Sequence, residues 1–185
     1  MSTKNKNTLS IVLPVYNEEE IIKISIERIL ALSHKIKDKV NVEIIFVNDG
    51  SNDQSLSILK QYSESIKIIS FTRNFGHQMA ITAGIDYAKG DYVCIIDADL
   101  QDPPELIEEM YDLCTDEEYD FVYGVRKERK GETFFKKASA GLFYKIMKMI
   151  SDTNINLNSG DFALLSKRTA LEFCKLREKN RFIRG

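Results

Sequence analysis

The sequence is poor in cysteine, in long apolar runs and in excess charge, and each shortage excludes a class of protein. Its 185 residues include three cysteines, without a Cys-x-x-Cys pair or a Cys/His spacing suited to zinc, so a disulfide framework and a zinc module are excluded. This cysteine usage favours a reducing cytoplasm. No run approaches the roughly 20 apolar residues that cross a bilayer. The formal net charge of −2 argues against a nucleic-acid-binding protein.

What the sequence does contain is typical of one globular domain. Hydrophobic residues make up 43% and charged residues 29% of the chain, which excludes disordered, collagen-like and coiled-coil classes. A length of 185 residues is within the roughly 100–200 residues of a single domain. We therefore predict that residues 1–185 form one domain with a substantial core.

Short apolar runs alternate with segments of helical periodicity, which predicts an α/β fold. Apolar strands separated by helices indicate a doubly wound, mostly parallel sheet with helices on both faces. Ligands of such sheets bind beyond the carboxyl ends of the strands. The predicted strands are 9–15, 42–47, 66–71, 92–96, 121–123 and 162–165. The predicted helices are 18–32, 55–62, 78–88, 103–113, 133–150 and 168–176, with a loop over 124–132.

The strongest chemical signal is a pair of acids, Asp97 and Asp99, at the end of a predicted buried strand. Alternate residues of an extended segment point the same way, so the two carboxylates should project together. They would repel each other unless a cation lies between them, and oxygen ligands of this kind suit Mg²⁺ or Mn²⁺. Gln101 continues the alternation and could supply a third oxygen. The alternative is a solvated acidic turn before the next helix, which the position at a strand end disfavours.

Other polar residues follow the remaining strands at the same predicted edge. Asp49 is interpreted as a ligand-binding residue, and Asp53 as a residue that caps the following helix. Tyr16 offers a stacking face and Glu18 an acceptor, although by themselves they fit a plain strand-to-helix turn. His77 is more typical of a surface hydrogen-bonding residue than of a catalytic base.

Charge is distributed unevenly along the chain. Residues 97–120 contain no lysine or arginine, whereas residues 124–150 contain eight. A basic amphipathic helix can lie on an anionic membrane or bind a phosphate, and the alternative is a solvated lysine face. Arg126 follows a predicted strand and is the better phosphate ligand because arginine binds phosphate oxygens with a fork of donors. Asp161 precedes a short predicted strand, and its spacing alone is equally compatible with a turn.

Taken together, these residues resemble the family 2 inverting glycosyltransferases, which have the GT-A fold. The similarity is greatest to the polyprenyl-phosphate branch, which includes dolichol-phosphate-mannose synthases and bactoprenol glucosyltransferases. It extends over essentially the whole chain, and the acidic segment at 97–105 is its most specific part. The motifs are Leu-Pro-Val-Tyr-Asn-Glu at 13–18, Val-Asn-Asp-Gly-Ser at 47–51, Arg-Asn-Phe-Gly at 73–76, Asp-Ala-Asp-Leu-Gln-Asp-Pro-Pro-Glu at 97–105, Phe-Phe-Lys-Lys at 134–137, Gly-Asp-Phe at 160–162 and Arg-Phe-Ile-Arg-Gly at 181–185.

The resemblance implies a role for each group of residues. It implies a nucleotide-sugar donor, a Mg²⁺ or Mn²⁺ ion on the diphosphate, and a polyprenyl-phosphate acceptor at the cytoplasmic face of a membrane. Asp161 and Asp99 are expected to be catalytic, Asp161 as a base or an orienting group. The nucleotide sugar would be held by Pro14, Tyr16, Glu18, Asp49, Asn74 and Asp97. The metal would be held by Asp97, Asp99 and Gln101, and the acceptor phosphate by Arg126, Lys137 and Arg184.

Other functions remain open at this point. Members of this branch continue into membrane helices, so we expect the sequence to be their catalytic domain, truncated before that anchor. A polysaccharide or other soluble acceptor, or a non-catalytic nucleotide-sugar-binding module, stays an alternative. A nucleotidyltransferase would need a glycine-rich, basic loop after strand one, and a receiver domain would need its acidic pair there. The sugar, the choice of UDP or GDP, and whether the chain forms a homo-oligomer are left open.

Overall fold

The computed structural model describes residues 6–125 and 159–175, which form a six-stranded sheet with helices on both faces. The predicted helix at 133–150 and the expected acceptor residues Arg126, Lys137 and Arg184 lie outside the described residues. The strands are β1 (Thr8–Val15), β2 (Asn41–Asn48), β3 (Lys67–Ser70), β4 (Tyr92–Ile95), β5 (Phe121–Val125) and β6 (Ser159–Ser166). The helices are α1 (Ile22–Ile36), α2 (Ser55–Lys60), α3 (His77–Tyr87), a 3₁₀ turn (Pro104–Leu106) that leads into α4 (Ile107–Asp116), and α5 (Lys167–Lys175).

The central strands are apolar on both faces because both faces are covered. Along β1, Ile11 and Leu13 pack in one core cluster with α1, α2 and α4, whereas Val12 packs in the other with α3 and α5. A fully buried aliphatic side chain contributes roughly 1.5–3 kcal/mol of transfer free energy. Burial on both faces therefore makes these strands the rigid support from which the adjoining loops project. In the described part of the chain, no helix is both long and apolar enough to span a bilayer.

The strand order is β3-β2-β1-β4-β6-β5, and the first four strands in this order are mutually parallel. Strand β6 is antiparallel to both β4 and β5, so β5 keeps the direction of β4. The predicted doubly wound, mostly parallel sheet is confirmed. Several predicted bounds are wrong. Helix α1 is Ile22–Ile36 rather than 18–32, and α4 continues to Asp116 rather than 113. Strand β5 extends to Val125, which pairs with Ser159 at the start of β6. The prediction of a loop is therefore wrong for Gly124 and Val125, and residues 126–132 lie outside the described residues.

The antiparallel insertion of β6 determines what lies at the ligand edge of the sheet. The carboxyl ends of β1, β2 and β4 meet there, and the amino end of β6 joins them. The register pairs Ile95, the last residue of β4, with Ala163, and just beyond this pair Asp97 and Asp161 both lie beside His77 Nε2, at 3.4 Å and 3.0 Å. Two acids separated by 64 positions in the sequence thus become neighbours.

A polar network closes the opposite edge of the sheet around the carboxylate of Glu43. Its oxygens accept hydrogen bonds from the Ser10 hydroxyl, from the Lys67 ammonium group and from the Lys89 backbone N–H, the last at 2.9 Å. The Ser10 hydroxyl in turn accepts a hydrogen bond from the Gly90 N–H at 2.9 Å. This network satisfies a mostly buried charge and joins β1, β2, β3 and the turn before β4.

Candidate active site

A cleft of about 310 Å³ lies at the carboxyl ends of β1, β2 and β4. Small-molecule sites have volumes of roughly 300–1,000 Å³, so the cleft can hold part of a nucleotide-sized ligand. The predicted site residues that line it are Pro14, Tyr16, Glu18, Asp49, Asn74, Asp97 and Asp99. The sheet therefore brings together at one cleft residues from four separate motifs.

The loops that follow β1 and β2 are joined by hydrogen bonds. The Glu18 N–H donates to the Ser55 hydroxyl at 2.8 Å, and the Glu19 N–H donates to Asp53 Oδ2 at 3.1 Å. Asp53 Oδ1 also accepts the N–H of Ser55, the first residue of α2, at 2.9 Å. This contact supports the start of the helix, as predicted for Asp53, although Gln54 occupies the N-cap position. Glu18 is thereby held at the rim of the cleft.

Asp49 is a buried carboxylate that organises the next loop. Its Oδ1 accepts the Phe75 N–H at 2.7 Å, its Oδ2 accepts the Gly76 N–H at 2.9 Å, and its exposed fraction is 1%. The neighbouring Gly50 has a φ of +65°, and a Cβ there would lie 2.3 Å from the Arg73 carbonyl carbon. The two loops can approach this closely only because residue 50 has no side chain. Asp49 thus positions the 73–76 loop while it lines the cleft.

The predicted acidic pair projects into the cleft, but its two members differ in environment. The Asp97 side chain is 27% exposed, and its buried Oδ1 makes no hydrogen bond to any residue that the structure describes. Asp99 Oδ1 accepts the Gln101 backbone N–H at 3.0 Å. Gln101 itself is exposed and is not among the residues that line the cleft. Its side-chain oxygen as a third metal ligand stays a prediction.

His77, the first residue of α3, lies between two acids. Its Nε2 is 3.0 Å from Asp161 Oδ2 and 3.4 Å from Asp97 Oδ1. The Asp161 side chain is 3% exposed, whereas that of His77 is 43% exposed. One ligand atom from each of the three residues lies within 4.8 Å of the other two, a grouping that could hold a metal ion.

The electrostatics of the cleft favour a cation. Burial raises the pKa of Asp97, His77 partly offsets this rise, and the charges of Asp161 and Asp99 add to it. Burial also raises the pKa of Glu18, with Asp99 as the next contribution. Because these acids destabilise one another's charged forms, a divalent cation would stabilise the ionised site. Carboxylate ligands, one with a buried oxygen that makes no hydrogen bond within the described part of the chain, fit Mg²⁺ or Mn²⁺.

Comparison with protein families matches residues 10–172 to the model described as glycosyl transferase family 2. The chain belongs to this family. The resemblance drawn from the motifs is therefore confirmed. This family 2 chain also aligns over nearly all of its length with curated members.

Two relatives illustrate that similarity. The chain is 50% identical over 179 residues to "Uncharacterized glycosyltransferase YkcC" of Bacillus subtilis (strain 168), which covers 95% of this chain and 54% of the relative. It is 38% identical over 180 residues to "Bactoprenol glucosyl transferase" of Shigella phage SfV, which covers 96% of this chain and 58% of the relative. The chain thus spans a little over half the length of these curated relatives, and its likeness to the bactoprenol branch is confirmed.

A solved structure supports the fold. The mannosyltransferase PcManGT from Pyrobaculum calidifontis, determined in complex with GDP-Man and Mn²⁺, matches with a TM-score of 0.64 and 17% identity. The match covers 91% of this chain and 47% of that protein. At this identity the likeness establishes the fold alone, and the expected GT-A fold is confirmed.

One residue of this family 2 site was missed by sequence reasoning. His77 was interpreted as a surface hydrogen-bonding residue, and its 43% exposed side chain agrees with that interpretation. Its partner, however, is the buried Asp161, and its ring lies at the edge of the cleft. The available signal was its position directly after the 73–76 loop, which leads from the carboxyl end of β3.

Proposed function

We propose that the chain is the catalytic domain of a metal-dependent inverting glycosyltransferase. Its substrates are a UDP- or GDP-sugar and a polyprenyl phosphate at the cytoplasmic face of a membrane. The observation that carries this proposal is the cleft itself, in which Asp97 presents a buried oxygen that no described residue hydrogen-bonds, beside the residues expected to bind a nucleotide. Such a site suits a ligand that combines a nucleoside, a cation and phosphates.

The donor end of the cleft has the chemistry needed for a nucleoside. Tyr16 is 43% exposed and offers a ring face on which a base can stack. Glu18 and Asp49 are acceptors for ribose or base donors, as acidic residues are in other nucleotide-binding sheets. Asn74 reaches the same cleft from the 73–76 loop. Pro14, the penultimate residue of β1, lines the same cleft.

Asp97, with Asp99 and Gln101, would hold the metal ion on the donor diphosphate. When bound, the ion offsets the negative charge that develops on the departing diphosphate. Asp99 contributes a second carboxylate that the Gln101 N–H orients at 3.0 Å. Asp97 and Asp99 both line the cleft, although the chain turns at 98–99 rather than staying extended, so both carboxylates can reach one ligand.

The transfer step needs no strong general base. An oxygen of the acceptor phosphate attacks the anomeric carbon, the bond from that carbon to the diphosphate oxygen breaks, and its electron pair stays on the nucleoside diphosphate. A phosphomonoester has a second pKa near ~6, so the attacking group is already largely a dianion at neutral pH. Asp161 then orients groups in the cleft, consistent with its fixed position in β6.

The acceptor assignment is supported by the relatives and by the basic segment. A relative 38% identical to this chain is named a bactoprenol glucosyl transferase. Arg126, Lys137 and Arg184 would bind the acceptor phosphate and reduce its repulsion from the donor diphosphate. The surrounding lysines and arginines suit an anionic membrane surface.

The test is turnover by the 185-residue chain with each donor in turn. UDP- and GDP-sugars are incubated with Mn²⁺ or Mg²⁺ and a polyprenyl phosphate in detergent, and the glycosyl phospholipid and released nucleoside diphosphate are quantified. We expect equal amounts of both products, loss of turnover with EDTA, and loss in Asp97→Asn but not in the exposed-site control Asp86→Asn. Donor binding without turnover would instead indicate a binding module, and transfer only to a soluble saccharide would replace the lipid acceptor.

A further inference from the structure

We infer that His77 contacts the sugar of the nucleotide-sugar donor, and that the buried Asp161 acts through His77 as the residue that positions its imidazole. This inference rests on the proposed function, because the sugar concerned is that of the donor assigned there. It deepens the role given to Asp161, since it names the group in the cleft that this carboxylate orients.

The cleft exposes His77 rather than Asp161. The side chain of His77 is 43% exposed and lines the cleft, whereas that of Asp161 is 3% exposed and is not among the residues that line it. His77 Nε2 lies 3.0 Å from Asp161 Oδ2, which is a hydrogen-bond distance. A ligand in the cleft therefore meets the imidazole, and the carboxylate can act on that ligand through the imidazole.

The order of the strands places the sugar of a bound donor near His77. Tyr16 and Asp49, which are expected to hold the nucleoside, follow β1 and β2, and Asp97, which is expected to hold the ion on the diphosphate, follows β4. The sheet order β2-β1-β4-β6 continues this series to β6, the strand of Asp161. A nucleotide sugar is a linear series of nucleoside, diphosphate and sugar. A donor that lies across the strand ends in this order brings its sugar to His77, whose Nε2 is 3.4 Å from Asp97 Oδ1.

The imidazole is supported by packed parts of the fold on both sides. His77 is the first residue of α3, which packs on the sheet through Ala80 among others. The preceding residue, Gly76, donates its N–H to the buried Asp49 at 2.9 Å. Asp161 belongs to β6, in the interior of the sheet. A side chain held by such a shell keeps its direction before the ligand arrives.

An imidazole is better suited to this contact than a carboxylate. Histidine combines an apolar ring with polar nitrogens, and a sugar likewise combines C–H groups with hydroxyls. A carboxylate in direct contact with the donor would add negative charge beside the diphosphate, where Asp97 and Asp99 already contribute two, and like charges at short range repel. Asp161 avoids this repulsion because it is buried, and it still determines the direction of the ring.

The first experiment observes the imidazole by NMR in the chain labelled with ¹⁵N-histidine. His34→Ala replaces an exposed histidine and leaves His77 as the only one, which assigns the ring signals. We expect these signals to differ between the complexes with UDP and with UDP-glucose, or between those with GDP and with GDP-mannose, for whichever pair binds more tightly. Mg²⁺ is present in both complexes, so the difference reports the sugar and not the ion.

The second experiment uses calorimetry to ask whether Asp161 acts through His77. We expect His77→Leu to weaken binding of the nucleotide sugar about three- to tenfold, the size of one hydrogen bond, and binding of the matching nucleoside diphosphate less than about twofold. Asp161→Ala should show the same selective loss. The double variant should lose no more than His77→Leu alone, because the two residues then act as one unit. His34→Leu is the control and should bind both ligands as the wild type does.

Three results would overturn the inference. Identical ring signals of His77 with and without the sugar would do so without any substitution in the cleft. Equal losses of nucleotide sugar and nucleoside diphosphate in His77→Leu would reject the sugar contact, and additive losses in the double variant would show that Asp161 acts independently of His77. Because these are binding measurements, a chain that gives the expected results but transfers no sugar would refute the catalytic function and leave this inference standing.

Discussion

Asp97 and Asp161 both lie beside His77 Nε2, which is 3.4 Å from Asp97 Oδ1 and 3.0 Å from Asp161 Oδ2, just beyond the last pair of the antiparallel β4–β6 ladder. Like charges that face each other across a strand pair destabilise the sheet. His77 lies between them and offsets part of this repulsion. The fold thus keeps a destabilising arrangement at the place where a cation is expected to bind, which is typical of functional sites.

Asp97→Asn should stabilise the metal-free chain. Burial raises the pKa of Asp97, which means that folding disfavours its charged form, so a neutral amide of similar shape removes a penalty. We expect a gain of about 0.5–1 kcal/mol in the free energy of unfolding at pH 7, measured by urea titration with EDTA present.

Bound Mn²⁺ should make the wild type more stable than Asp97→Asn, the reverse of the order without metal. At a Mn²⁺ concentration near 100 times its dissociation constant, binding stabilises the wild type by about 2.7 kcal/mol, whereas Asp97→Asn should gain almost nothing. The exposed-site variant Asp86→Asn is the control and should behave as the wild type under both conditions. An Asp97→Asn variant that is less stable without metal would contradict the electrostatic argument.

The parts of the site that could be predicted from the sequence are those that follow parallel strands. Glu18, Asp49, Asp97 and Asp99 each come shortly after an apolar run, and the carboxyl ends of parallel strands meet at one edge. Their convergence on one cleft therefore depends only on recognising the strands and their common direction. The periodicity of the sequence identifies the strands, and their apolar content indicates that they are parallel.

The contact between Asp161 and Asp97 could not be predicted in this way. It depends on the position of β6, which lies antiparallel between β4 and β5. The sequence of β6 predicts a short strand but indicates neither which strands it pairs with nor its direction. His77 was undervalued for a related reason. Its partner lies 84 residues away, and a single histidine in a loop gives no indication of what it contacts.

Gly50→Ala should disrupt the contact between the loops that follow β2 and β3. The φ of +65° disfavours a side chain, and the added Cβ would lie 2.3 Å from the Arg73 carbonyl carbon, where backbone must move. Left-handed backbone costs an alanine roughly 1–2 kcal/mol, and the clash should raise the loss above about 2 kcal/mol. Urea unfolding measures the loss, and titration calorimetry with UDP should show weaker binding because Asp49 is displaced.

Gly76→Ala is the matched control for this substitution. Gly76 also has a positive φ, +101°, but a Cβ there meets no atom within 4 Å. It should lose only the backbone contribution, about 1–3 kcal/mol, because its φ of +101° and ψ of 151° are nearly restricted to glycine. A loss in Gly50→Ala no larger than the roughly 1–2 kcal/mol of left-handed backbone would show that the close approach of residues 50 and 73 does not matter.

Arg126→Ala should separate acceptor binding from donor binding. Arg126 lies outside the described residues, so this prediction comes from the sequence and from the resemblance. We expect transfer to a polyprenyl phosphate to fall at least about tenfold, with the dissociation constant of the nucleotide sugar changed by less than about twofold. Lys130→Ala removes the same charge from the same basic segment and should reduce transfer less. A parallel loss of donor affinity in Arg126→Ala would reject its assignment to the acceptor.

Glu43, at the edge of the sheet remote from the cleft, should make the free energy of unfolding depend on pH. Burial alone would raise its pKa, but the hydrogen bonds from Lys67, Lys89 and Ser10 together lower it below the ordinary value of 4.5. Because the pKa of Glu43 is lower in the folded state, its ionisation stabilises the fold at pH values above its ordinary pKa. This contribution is lost as the pH falls through the folded-state pKa. Glu43→Gln should therefore cost about 1–3 kcal/mol at pH 7.

The difference in the free energy of unfolding between the wild type and Glu43→Gln should become smaller as the pH is lowered from 7 towards 3. Protonation of Glu43 then removes from the wild type the charge that the variant already lacks. Urea unfolding at pH 7, 5, 4 and 3 measures it, with Glu64→Gln at an exposed position of the loop before β3 as the control. The control should track the wild type at every pH. If the cost of Glu43→Gln were the same at pH 7 and pH 3, the contribution would come from shape and packing, and the charged hydrogen bonds of Glu43 would add nothing to the stability of the sheet.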